Sequence, residues 1–305
     1  MRIFSWKSAL GAVVLGAALA ASAPAMAEPP IKIGAIASAT GPAAYLGDPE
    51  LKTLKMYVEK INGEGGVLGR QIELVEYDDA GDAGKANSLT KRLISDDKVD
   101  VIIGSSVTGA TIGMIPLVEK AEIPLVSMAG SVKIIEPVRK WVFKTPVNDR
   151  GAVDALFGYL KEQGISKLGL LTEDSGFGLS GAEEAKKAAG DFGITVVMEE
   201  TYGAKDTNMS PQLTKMRGNT DIEAVLVSGL GQGPALVTRN YRELGIDRPL
   251  FQLHGVASEG FIKTAGDAAN GVRLPAPAML VAEQLPDSNP MKQVALDYIN
   301  AYKAK

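Results

Sequence analysis

The sequence predicts an α/β fold built as two doubly wound parallel-sheet lobes, and three observations carry that expectation. Short apolar runs rich in Val and Ile alternate with stretches of helical periodicity almost without a break, the pattern of parallel strands joined by crossover helices. The alternation pauses near residue 148 and then restarts. The 278 residues from Glu28 to Lys305 are also about as many as one core sustains, a limit near 250–300 residues.

In the first run, strands are expected at residues 31–37 (IKIGAIA), 71–77 (QIELVEY), 99–104 (VDVIIG) and 123–127 (IPLVS). Helices are expected between them at 51–61, 84–94 and 111–120. Leu51, Leu54, Val58 and Ile61 trace one helical face, and Asn62-Gly63 ends it. The second run gives strands at 167–172, 194–199, 224–229 and 249–253, with helices at 152–163, 181–189, 212–217 and 235–244. One last helix is expected at 290–303. Residues 145–148 form a tight connection between the runs, with no low-complexity tether.

The N-terminus reads as a secretory leader over residues 1–27. Arg2 and Lys7 precede an apolar run at 9–21, and Pro24-Ala25-Met26-Ala27 ends in an A-x-A pattern. A periplasmic protein released from that leader, without lipid anchoring, is the expectation. There is no cysteine anywhere, so neither a disulfide framework nor thiolate chemistry is available. Removing Arg2 and Lys7 takes the net charge from -4 to -6, with no basic stripe for nucleic acid.

Enzymatic signatures are sparse. The chain has one histidine, His254, and neither a GxSxG elbow nor a GxxxxGK[ST] loop. No metal site or cofactor is expected, because His/Cys ligation fails by count and 77–82 (YDDAGD) lacks calcium-loop spacing. The hexad Gly176-Phe177-Gly178-Leu179-Ser180-Gly181 matches GxGxxG, but Glu173, Asp174 and Ser175 separate it from its strand. Carboxylates there would repel a pyrophosphate, which leaves an NAD-dependent oxidoreductase as a remote alternative.

An ordered series of motifs runs the length of the chain. It opens with Thr40-Gly41-Pro42-Ala43-Ala44 and Gly47, continues through 62–70 (NGEGGVLGR), Tyr77-Asp78-Asp79 and Phe143-Lys144-Thr145, and closes with 265–271 (AGDAANG). The series resembles the leucine/isoleucine/valine-type periplasmic substrate-binding proteins of ABC transporters. The resemblance implies a type I periplasmic binding protein fold, its lobes joined by hinge crossings near 145–148 and 275–278. It also implies a non-enzymatic monomer that hands its ligand to a membrane permease. A sensor module docking to a receptor would have the same fold. Lobe 1 is expected at 28–147 plus 279–305 and lobe 2 at 148–278, with a C-terminal part of the family fold apparently missing.

The resemblance also assigns site residues. It places a ligand carboxylate against Thr108 and against Ala129 with Ser131, with Ser106 and Gly130 as neighbouring donors. Phe177 stands where the family carries an aromatic wall, and Tyr45 or Leu46 stands at another such position. At His254 the chain departs from the amino-acid binders, whose Glu there pairs with the ligand's ammonium. A histidine cannot supply that anion. The expected ligand is therefore a small carboxylate without an α-amino group, such as a benzoate or hydroxycinnamate. The alternative is an amino acid whose ammonium turns to Glu173 or Asp174.

Overall fold

A computed structural model of the protein describes residues 28–305, and the leader expected at residues 1–27 lies outside the described residues. The first sheet contains β1 (Ile31–Ala37), β2 (Ile72–Asp78), β3 (Val101–Gly104), β4 (Leu125–Ser127) and β5 (Val142–Lys144). Their order is β2-β1-β3-β4-β5, and every pair is parallel. Helices α1 (Ala44–Gly63), α2 (Ala83–Arg92) and α3 (Thr108–Ala121) make the crossovers.

The second sheet has the order β7-β6-β8-β9, again all parallel. Its strands are β6 (Lys167–Glu173), β7 (Thr195–Tyr202), β8 (Ala224–Ser228) and β9 (Leu250–Gln252). Helix α4 (Asp149–Glu162) leads in from β5, and the crossovers are α5 (Gly176–Ala189), α6 (Ser210–Gly218) and α7 (Gly233–Glu243). A short α8 (Glu259–Ala265) follows, and α9 (Met291–Lys303) returns to the first lobe, where the Tyr298 and Thr53 hydroxyls meet at 2.7 Å.

Covering both faces of a parallel sheet requires strands that are apolar throughout rather than alternating. β8 meets this requirement: Ala224, Val225, Leu226, Val227 and Ser228 are all buried. Leu226 joins the core on one face with Phe157, Leu168 and Phe251, while Val225 and Val227 join Tyr241 and Leu213 on the other. Each fully buried Leu or Val contributes about 1.5–3 kcal/mol, so each lobe carries a core of its own.

Sequence periodicity did not reveal β5. Three residues with Phe143 half exposed show no periodicity, and the strand exists because it pairs with β4. The glycine hexad is likewise no phosphate loop. Ser175 caps α5 through Gly178 N–H, and 176–181 are its first turns. A side chain on Gly178 would lie 2.2 Å from the Glu173 carbonyl, so this glycine permits close helix–strand packing.

Both sheets place the site in the same way. β1 has β2 on one side and β3 on the other, and β6 is flanked likewise by β7 and β8. Crossovers diverge at such points, which opens a crevice beyond the carboxyl ends of the strands. The loops that leave β1, β3, β4, β6, β8 and β9 therefore converge between the lobes.

Candidate ligand-binding site

A cavity of about 130 Å³ lies where those loops meet. Tyr45 and Leu46, in the first turn of α1, form one wall. Ser106, Val107 and Thr108 bring the end of β3 into α3, and Met128 and Gly130 follow β4. The second lobe supplies Phe177 from α5, Leu230 after β8, and His254, Gly255 and Ala257 after β9. Pro146 lines it from the connection between the lobes. Seven of the nine residues expected from the sequence line this cavity together, including both Tyr45 and Leu46.

Thr108 is the first residue of α3, and Val107 holds the cap position with no side-chain bond. The threonine is 1% exposed, yet its Oγ1 has no hydrogen-bond partner. The amides of the first helical turn also lack intrahelical acceptors. A buried, unpartnered hydroxyl and the positive end of a helix dipole thus sit together in the cavity wall, an arrangement that suits an anion.

His254 faces Thr108's lobe from the other side. Its Nε2 lies against Gly130, where an added Cβ would sit 3.0 Å away, and its ring meets Phe177 edge-on at 5.1 Å. Burial pushes the imidazole down to about 4, against a smaller opposing pull from Asp149, so it is neutral at pH 7. Neither ring nitrogen has a partner. A neutral imidazole offers one donor and one acceptor.

Ala129 and Ser131, also expected from the sequence, do not line this cavity. The Ala129 N–H is bonded to Ser127 Oγ at 3.1 Å. Ser131 Oγ sits 2.5 Å from Ser180 Oγ on α5, and Ser180 donates to buried Asp149. A hydroxyl has one proton, so Ser180, which gives its own to Asp149, must accept from Ser131. Ser131 also accepts from Lys133 N–H at 3.1 Å. Its hydroxyl has no proton left for a ligand and instead joins the lobes.

Other contacts hold the lobes closed. Tyr45 on lobe 1 donates to the Gly255 carbonyl at 2.8 Å and accepts from Gly231 N–H at 3.0 Å, both on lobe 2. Burial pushes this phenol up to about 12. Lys133 pairs across the gap with Glu183.

The two carboxylates considered for an ammonium do not line the cavity. Glu173 is buried and raised above its usual range by desolvation, and it receives the Tyr202 hydroxyl at 3.4 Å. Asp174 accepts from Ala204 N–H at 2.8 Å. A larger hollow of about 580 Å³ lies elsewhere, beside Leu156, Phe261 and Leu280. Its wall is mostly apolar and holds none of the unpartnered buried polar atoms. Among the described residues no cluster of metal-ligating side chains is present.

A sequence profile described as periplasmic binding protein matches residues 30–305. The chain belongs to this family. The leucine-, isoleucine-, valine-, threonine- and alanine-binding protein of Pseudomonas aeruginosa is 28% identical over 282 residues, which cover 92% of this chain and 73% of that one. Leu/Ile/Val-binding protein homolog 7 of Brucella melitensis is 31% identical over 209 residues, and the match takes in 52% of its length. An extracellular ligand-binding receptor from Rhodopseudomonas palustris HaA2 superposes with a TM-score of 0.83 at 32% identity, covering 90% of this chain and 75% of that one. An ABC-transporter solute-binding protein from R. palustris in complex with benzoate superposes at 0.75, with 24% identity, 90% of this chain and 74% of that one covered; this likeness carries the fold.

Sequence reasoning missed part of this binding protein's site. Met128, Pro146, Leu230 and Ala257 carry no chemical signature and reach the cavity through backbone placement alone. Glu50 was also missed, although it lies one helical turn beyond Leu46 on the same face of α1.

Proposed function

We propose that this binding protein is the extracytoplasmic solute-binding component of an ATP-driven importer and that it captures a small aromatic carboxylate lacking an amino group. The observation that carries the ligand class is the lining itself. Among the described residues it includes no charged side chain, yet it holds the unpartnered Thr108 hydroxyl at the start of α3. A carboxylate finds helix amides and a donor there. An ammonium would be desolvated without a counter-charge, and an uncompensated buried charge costs several kcal/mol, about 3–5. Size supports a single ring, since about 130 Å³ is close to the roughly 150 Å³ of an engineered cavity that binds benzene. Phe177, Met128 and Leu230 supply apolar walls for that ring.

A second reading, an amino-acid carrier, is supported by what the Pseudomonas and Brucella relatives are named for binding. It requires Glu50 or Glu173 to reach the ligand from behind the lining. A thermal-shift panel separates the two readings. Benzoate at about 100 times its Kd adds roughly 2.7 kcal/mol to the stability of the folded state and raises the melting midpoint, while leucine, isoleucine and valine leave it unmoved. A shift with leucine or valine and none with benzoate overturns the proposal.

A further inference from the structure

Behind the cavity wall, α1 presents the partly buried Glu50 to the loop after β3. Ser106, which lines the cavity, donates its hydroxyl proton to Glu50 Oε2 and accepts the Ser38 N–H at 2.9 Å. A serine hydroxyl has one proton and two lone pairs. With Glu50 ionised, the proton points away from the cavity, and the remaining lone pair is all that Ser106 can offer a ligand. With Glu50 protonated, the carboxyl O–H fills that lone pair and the Ser106 proton is released towards the cavity.

We propose that Glu50 is a specificity-determining positioning residue whose protonation converts Ser106 from acceptor to donor, so that capture of an anionic ligand takes up one proton. The proton comes from solvent and rests on Glu50, while Ser106 keeps its own and reorients. This inference rests on the cavity being a carboxylate site.

The groups facing Glu50 support it. Partial burial pushes the carboxyl up to about 7, the Ser106 hydrogen bond opposes this, and the negative charge of Asp79 after β2 adds to it. Asp79 is itself fully buried and held by the Ser38 hydroxyl at 2.7 Å and Gly81 N–H at 2.8 Å. Tyr45, on the same helix, stays protonated up to about 12. A ligand carboxylate nearby brings further like charge and raises Glu50 again. The liganded protein therefore binds more protons than the free one above about pH 7, and anion affinity must fall as pH rises through that window. His254, near 4, lies outside it.

The test is calorimetric titration of the full chain with benzoate between about pH 6 and pH 8.5, in buffers of differing ionisation heat. Benzoate Kd is expected to rise about thirtyfold across that range, since linkage to one proton allows a slope of up to tenfold per pH unit above about pH 7. Uptake should approach one proton at the alkaline end, and uncharged benzamide should show no such loss. In Glu50→Gln the amide donates to Ser106 as the protonated acid would, so affinity should become independent of pH with no proton uptake. Benzoate binding that is flat with pH in the wild type sinks the inference alone. A pH dependence that survives Glu50→Gln also sinks it and moves the effect to the other raised carboxyl, Glu173. If Glu50→Gln does not fold, Glu173→Gln takes its place: uptake that survives it stays with Glu50, and uptake that it abolishes sinks the inference. No benzoate binding at any pH sinks the carboxylate reading and this inference with it.

Discussion

The two turns that follow β3 and β4 in the first lobe look alike in sequence and differ in what they can do. Each places a hydroxyl, Thr108 or Ser131, at the start of a helical segment beyond a strand end. Both side chains are buried, at 1% and 0% exposure. Thr108 has no partner, whereas Ser131 is tied through Ser180 to Asp149 on the opposite lobe. Position and burial are therefore not enough to make a binding residue. What decides is where the one hydroxyl proton already goes.

The largest effect that would sharpen this contrast comes from His254→Glu. It puts a carboxylate beside Phe177 and Gly130, facing the free Thr108 hydroxyl, and a second carboxylate from the ligand would then share a desolvated space. Benzoate affinity should fall by more than about 100-fold, or roughly 3 kcal/mol, while leucine binding should appear or strengthen. Titration calorimetry with both ligands reads the exchange. Unchanged benzoate affinity would remove His254 from the ligand's surroundings.

Thr108→Ala and Ser131→Ala test the two turns directly. A hydrogen bond to a charged group contributes about 1.5–3 kcal/mol, so Thr108→Ala should weaken benzoate binding ten- to a hundred-fold and Thr108→Ser should restore it. Ser131→Ala should act on the fold instead. It leaves the buried Ser180 hydroxyl and Lys133 N–H short of partners, at about 1–3 kcal/mol, and lowers the melting midpoint. The opposite pattern, with Ser131→Ala costing more affinity than Thr108→Ala, would break the comparison.

The same contrast explains what the sequence reveals and what it withholds. Strands such as 31–37 were legible because burial on both faces demands apolar residues at successive positions, as in the buried stretch 34–37 (GAIA). β5 was not recognised from periodicity, because three residues, of which only Val142 is buried, are too few to leave a period. Thr108, Ser106, Phe177 and His254, expected from their family positions, come together along one cavity because each follows the carboxyl end of a strand. Ser131, expected at the site, does not line the cavity, and the sequence could not show this because its partners, Ser180 and Asp149, lie 49 and 18 residues away. Glu50 went unnoticed for a related reason: a helical glutamate is normally solvated, and only the fold sets it against Ser106.

Closure itself gives the smallest expected effect, through Tyr45. Its hydroxyl bonds to Gly255 and Gly231 across the cleft, while its ring lines the cavity. Tyr45→Phe keeps the ring and removes only those two bonds, each worth about 0.5–1.5 kcal/mol. Water can reach the Gly231 N–H and Gly255 carbonyl once the lobes part, which recovers much of that energy in the open state. The closed state alone loses stabilisation, so ligand escape should quicken about fivefold with little change in the association rate. Stopped-flow dissociation of benzoate measures this. An unchanged escape rate would mean that the Ser131–Ser180–Asp149 link and the Lys133–Glu183 pair hold the lobes without Tyr45. The first-lobe turn after β4 would then be the latch, and the turn after β3 would keep the ligand to itself.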